Sequence, residues 1–312
     1  MTNTNVISYN FTVAKILSIL MVVTGHYFGG LLWIPTTFAL FIFGFSSGFF
    51  TGRKYNENFG LKEFWYSKIL RLLPPLFIIN LFLLILFSIR GKEGITTWQT
   101  ILCMLGLNGF LDWAKLNNPS PFGHGLWFFT VLLIYYFSYP LLRLINKRKY
   151  MALGFLIISL LVTTLFHYVL PMGYALWLTV FSFLLGSYLS IYHKRIRAEF
   201  AISIFFSSCF ILLTLNFYCY YKQLNYFLIL LGCISTVIYL INTELPKPIF
   251  EKTVILSGAV IYIYFIHTYL FLKSITIYKT VNFISSLAII ILTGYALCKI
   301  QGLFGKILLR HN

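Results

Sequence analysis

The sequence predicts an all-α integral membrane protein: a bundle of about ten transmembrane helices with both termini in the cytoplasm. Three observations predict it. Of 312 residues, 59% are hydrophobic and only 10% are charged, where a soluble domain carries roughly 25% charge. The apolar residues fall in runs near the ~20 residues that a helix rising about 1.5 Å per residue needs to cross hydrocarbon. Basic residues are divided unequally between alternate loops, as the positive-inside rule requires of a multi-pass chain.

The runs lie at about 11–30, 32–50, 72–89, 126–145, 151–170, 174–192, 200–219, 225–242, 254–273 and 283–302. Pro171-Met172-Gly173 makes a tight turn between the fifth and sixth, and Pro246 and Pro248 break the chain before the ninth. No internal repeat and no appended soluble domain is visible, so 1–312 reads as a single transmembrane domain. No basic segment precedes the first run and no small-x-small site follows it, so it is expected to remain as the first span.

Loops around 53–71, 143–149, 194–197, 247–252 and 299–310 carry 17 Lys and Arg. The opposite loops carry six: Arg90, Lys92, Lys115, Lys222, Lys273 and Lys279. The richer set is expected on the cytoplasmic side. This bias accounts for the net charge of +17, and with no soluble basic domain to present it, a nucleic-acid partner is excluded. The five cysteines show no zinc-ligand spacing; they read as small apolar helix residues, and no metal site is expected.

Two loops stand out. Residues 51–71 are basic and aromatic, and Lys62-Glu63-Phe64-Trp65-Tyr66-Ser67-Lys68 reads as an interfacial amphipathic helix running into the third span. Residues 90–125 form a long outer loop whose apolar part, 99–111, is too short to span; it is either re-entrant or lies on the surface.

Polar groups inside apolar runs narrow the function. Charge at membrane depth is costly and needs a reason. Lys15, near the inner end of the first helix, either snorkels to the headgroups or faces the bundle. His26 follows eleven residues later, which is three turns plus roughly 20° and about 16 Å, so the two share one face. His267 lies in the outer half of the ninth helix, and His124 and Trp127 lie at the outer mouth of the fourth. A neutral imidazole suits general-base work. All seven acids fall in loops, which argues against a proton relay built on buried carboxylates. His26 is left without an obvious carboxylate to orient it, and Asp112 is the acid that could reach in from the outer loop.

Four segments, in order along nearly the whole chain, resemble the acyltransferase-3 family of bacterial membrane acyltransferases. Lys15 with His26 is similar to the family's Arg-(ten residues)-His pair. Phe64-Trp65-Tyr66-Ser67-Lys68-Ile69-Leu70-Arg71-Leu72-Leu73-Pro74 is similar to its basic segment ending Arg-Leu-x-Pro. Leu126-Trp127-Phe128-Phe129, with Tyr135 and Pro140 following, looks like the Leu-Trp-Phe-Leu…Tyr…Pro pattern of polysaccharide-modifying members. Tyr264-Phe265-Ile266-His267 is similar to the late Tyr-Leu-x-His. The chain departs at Lys15, where lysine keeps the charge of the family's arginine but loses its planar fork.

The resemblance implies a multi-pass protein of the bacterial cytoplasmic (inner) membrane. It implies transfer of an acyl group, usually acetyl, from acetyl-CoA or another acyl-CoA to a hydroxyl of a cell-surface glycan or lipid-linked sugar, with no resident cofactor. Its site residues would be His26 as general base, with His267 positioning the thioester or stabilising its oxyanion. Lys15, Lys68 and Arg71 would hold acyl-CoA, and Trp127 and His124 would bind the acceptor. A basic inner rim of Arg53, Lys54, Lys68, Arg71 and Arg143 fits the phosphates of CoA. The aromatic outer mouth of Tyr27, Trp33, Trp113 and Trp127 fits a sugar ring, although positive-inside topology and interfacial aromatic belts account for the same residues. An exporter of the glycan, or a non-catalytic subunit of a glycan assembly machine, are the competing readings.

Overall fold

A computed structural model of the chain describes residues 4–123, 126–173, 176–193, 196–218, 224–273 and 275–310, the last seven of these by backbone alone. Every regular element among them is helical: α1 Thr4–Phe28, α2 Trp33–Tyr55, α3 Leu61–Ile89, α4 Trp98–Met104, α5 Asn108–Trp113, α6 Trp127–Asn146, α7 Lys149–Val169, α8 Leu176–Tyr192, α9 Ala198–Tyr218, α10 Asn225–Asn242, α11 Lys247–Phe250, α12 Val260–Ile266 and α13 Lys279–Arg310. Among the described residues, nine segments are long and apolar enough to cross a membrane, and α8 is a shorter apolar helix of 17 residues or fewer. The ten expected runs therefore correspond to nine full spans and one short one. Nine of the residues of α8 are buried, so protein rather than lipid surrounds most of it.

The chain packs as two compact units. The first holds Met1–Gly25, Gly29–Phe59 and Ser138–Ile255; the second holds His26–Phe28, Gly60–Phe137 and Leu256–Asn312.

The first unit is organised on α2 and α8, which share the largest helix–helix contact. Gly44, Gly48 and Gly52 recur every fourth residue on α2, and Ser182, Gly186 and Ser190 do the same on α8. A Cβ on Gly48 would reach within 2.1 Å of the Phe183 carbonyl oxygen, and one on Gly186 within 2.3 Å of the Phe45 carbonyl. Lipid tails are as apolar as leucine, so helices in a membrane associate through such close backbone packing instead of hydrophobic exclusion. Beside this seam Phe11 of α1 stacks on Phe45 and Phe49, with centroids at 5.7 and 5.9 Å. Buried Asn10 donates both amide hydrogens, to the carbonyls of Leu240 (2.8 Å) and Thr243 (2.7 Å), satisfying the frayed end of α10.

In the second unit α3, α12 and α13 pack together. The expected interfacial helix and third span are one continuous helix, α3, with Pro74 and Pro75 inside it. The basic stretch 51–71 is therefore mostly helix: α2 runs to Tyr55, and only residues 56–60 connect it to α3. The apolar part of the 90–125 loop folds back along α3. The Asn80 amide donates to the carbonyl of Met104 at 2.7 Å, and Asn80 lies nine residues, about 14 Å along the axis, before α3 ends at Ile89. Gly106, at φ 76°, separates α4 from α5 and leaves room for the Phe129 ring.

The ninth span is not a plain helix. Lys247–Tyr269 comprises α11, a 3-10 stretch over Glu251–Ala259, α12, and a 3-10 turn over His267–Tyr269. Thr253, Val254, Ile255, Ser257 and Gly258 in the first of these are poor α-helix formers.

Candidate active site

The last turn of α1 brings His26 into the second unit. The helix stops at Phe28 because Gly29 and Gly30 take φ 68° and 59°, a region that glycine enters without steric cost. Tyr27 fixes this end. Its hydroxyl donates to the Leu272 carbonyl at 3.2 Å, and its ring meets Phe271 and Phe283 at 5.2 and 5.1 Å.

His267 begins the 3-10 turn after α12 and is fully buried. Its Nδ1 lies 2.6 Å from the carbonyl oxygen of Tyr264. A carbonyl only accepts, so Nδ1 carries the proton, and the neutral ring presents a lone pair at Nε2. That Nε2 is buried with no hydrogen-bond partner among the described residues. His26 and His267, from motifs far apart in the sequence, stand edge to face with centroids 5.0 Å apart and planes at 85°. The group that orients His267 is thus a backbone carbonyl and not a carboxylate. Asp112, on α5, is exposed; its charge reaches Tyr264 and Cys103.

Tyr264 completes the cluster. It is buried, its ring lies 6.0 Å from that of His267 and 6.0 Å from that of Phe128, and its hydroxyl has no hydrogen-bond partner among the described residues. The sequence reading quoted this tyrosine in a motif and gave its side chain no role; only folding shows a buried hydroxyl there.

The other expected site residues are placed differently. Trp127 opens α6 and is half-buried beside Phe128. His124 lies outside the described residues. Lys68 is buried on α3, its Nζ 4.0 Å from the centre of the Tyr136 ring and 5.3 Å from that of Phe64, a cation over aromatic faces. Arg71, one turn on, is exposed, and Lys15 in the first unit is half-buried. Arg143 of the basic rim is committed to the polypeptide. It donates to the carbonyls of Tyr55 (2.7 Å), Asn56 (2.9 Å) and Glu57 (3.3 Å), capping the C-terminus of α2 as cations do. Among the described residues, no three His, Cys, Asp or Glu side chains gather to hold a metal.

A multi-pass helical membrane protein with a buried imidazole and a half-buried one set edge to face is the class that fold and site define. A family model described as "Acyltransferase domain", that of the acyltransferase-3 family, matches residues 8–299. The chain belongs to this family, and in that general sense it is a membrane acyltransferase. No curated protein and no solved structure was found to match it.

Proposed function

We propose that the protein transfers an acyl group, acetyl in the first instance, from acyl-CoA to a hydroxyl of an envelope polysaccharide or glycolipid, working from the bacterial inner membrane. The observation that carries this reading is the pairing of His26 with His267 at 5.0 Å, with the Tyr264 ring 6.0 Å from His267, inside a chain of the acyltransferase-3 family.

The chemistry follows from the groups present. A sugar hydroxyl is a weak nucleophile at neutral pH, and a positioned base contributes typically ~10²–10⁴ in rate. His26 takes the proton as the hydroxyl oxygen attacks the thioester carbonyl. His267, its tautomer fixed by the Tyr264 carbonyl, turns an acceptor toward its surroundings and holds the first ring in place. Lys68 and Arg71 on α3 and Lys15 on α1 are the basic positions proposed for the donor, and Trp127 and His124 those proposed for the acceptor.

The test is acylation of glycan in membranes, normalised to the amount of inserted protein. His26→Gln keeps size and hydrogen bonding but is no base, and a loss of roughly 10²–10⁴ is expected. Transfer at the parent rate by this variant would remove His26 from the mechanism.

A further inference from the structure

Acyl transfer needs a hydrogen-bond donor where negative charge develops on the thioester oxygen, and His267 is poorly suited to supply it. Its one ring proton is given to the Tyr264 carbonyl. What it presents inward is a lone pair, which repels an oxyanion.

The same cluster holds a donor without an acceptor among the described residues. The Tyr264 hydroxyl is buried and makes no hydrogen bond among the described residues. Buried hydroxyls nearly always find partners, so one that has none calls for an explanation. Phe128 and Phe129 open α6 beside it, the Phe128 ring 6.0 Å from that of Tyr264. They belong to the first turn of α6, a helix of 20 residues, whose N-terminus is positive. An anionic oxygen placed there would meet a phenol O–H and the positive end of a helix, the type of preorganised environment that stabilises a tetrahedral intermediate.

We propose that the Tyr264 hydroxyl is the oxyanion donor of the acyl-transfer reaction, supported by the N-terminal turn of α6. This rests on the acyltransferase reading above. In the first step the acceptor oxygen bonds to the thioester carbon, its proton passes to His26, and the carbonyl π pair moves onto oxygen. That oxygen accepts the Tyr264 hydrogen bond. In the second step the pair returns to re-form C=O, the C–S bond breaks, and the CoA thiolate leaves with the proton from His26. Tyr264 then has two functions in one residue: its carbonyl sets the tautomer of His267, and its phenol holds the charge.

The test uses the full-length protein in membranes that contain the native acceptor. The probe is acetyl-CoA labelled in its acetyl group, and both label in glycan and free CoA thiol are followed. Tyr264→Phe deletes a single oxygen that makes no hydrogen bond among the described residues, so its thermal midpoint should not fall. Its kcat should drop by roughly 10²–10³, with KM for acetyl-CoA within about twofold of the parent, since the contact forms only as charge develops. A kcat within twofold of the parent, or a loss confined to KM, overturns the assignment. Should Tyr264→Phe fail to accumulate, 3-fluorotyrosine incorporated at Tyr264 replaces it. A more acidic phenol donates a stronger hydrogen bond to the developing oxyanion, so kcat should rise while KM for acetyl-CoA holds, and an unchanged kcat is the overturning result. Failure of the wider reading looks different: a parent protein that releases no CoA from acetyl-CoA defeats the acyltransferase assignment itself, whereas turnover that Tyr264→Phe leaves intact defeats the phenol alone.

Discussion

Gly48 on α2 and Phe183 on α8 pack backbone against backbone, so closely that a Cβ on the glycine would stand 2.1 Å from the phenylalanine carbonyl oxygen. Gly48→Ala must therefore part the two helices, and overpacking of this kind typically costs about 1–3 kcal/mol. Gly154, in the second turn of α7, has nothing within 4 Å of its Cβ position. There the same exchange removes only backbone freedom, and a gain of about 0.5–1 kcal/mol is expected. Thermal midpoints in one detergent should move in opposite directions, and a shared direction would contradict the close seam.

His193 introduces a pH dependence. It follows α8, and its Nε2 lies 3.2 Å from Asn242 Oδ1. Burial is the main cause that holds its pKa below the ordinary histidine value; the Asn242 hydrogen bond acts the other way, and the Arg53 charge lowers it further. Below about pH 6.5 the unfolded chain then binds more protons than the folded one, so stability falls as pH falls, and above it this group contributes no slope. His193→Gln keeps a donor for Asn242 and has no proton to gain. Between pH 7.5 and 5.0 its thermal midpoint should fall less than that of the parent. Parallel curves would show that His193 does not carry this dependence.

Sidedness is open to direct labelling. The 17-to-six division of basic residues places the connection at 56–60 inside and the 90–125 loop outside. Asn58 and Asn117 are both exposed, and Asn117 is a better probe than Asn118, whose side chain accepts the backbone N–H of Ser120. In a cysteine-free background with the outer leaflet accessible, an impermeant thiol reagent should label Asn117→Cys and spare Asn58→Cys. The reverse pattern would invert the topology.

The spans were legible because hydropathy over about 20 residues is a property of composition. The 62–68 helix and the third span read as two joined segments because Lys62, Trp65 and Lys68 lower the local hydropathy, where the structure has one continuous helix. The α2–α8 seam was present in the four-residue spacing of Gly44, Gly48 and Gly52, but a single helix does not reveal which partner its glycines meet. The approach of His26 to His267 is encoded by no local period; a family motif pointed to both residues, and only packing puts their rings together. The basic rim shows the opposite limit. Positive-inside counting finds Arg143 without distinguishing a phosphate ligand from the cap of α2 that it forms.

The 3-10 stretch ahead of α12 gives the bilayer leverage over the site. Its nine residues rise about 18 Å at roughly 2.0 Å each, where α-helix would give about 13.5 Å. The segment leading to Tyr264 and His267 is thus an extended form that a thicker membrane favours and a thinner one disfavours, since mismatch between hydrophobic length and lipid costs fractions of a kcal/mol per Å. Tightening those residues into α-helix would shorten the crossing and shift Tyr264 and His267 together relative to His26. Acyl-chain length of the surrounding lipid therefore becomes a variable of catalysis, and turnover in a series of reconstituted bilayers is expected to pass through an optimum thickness.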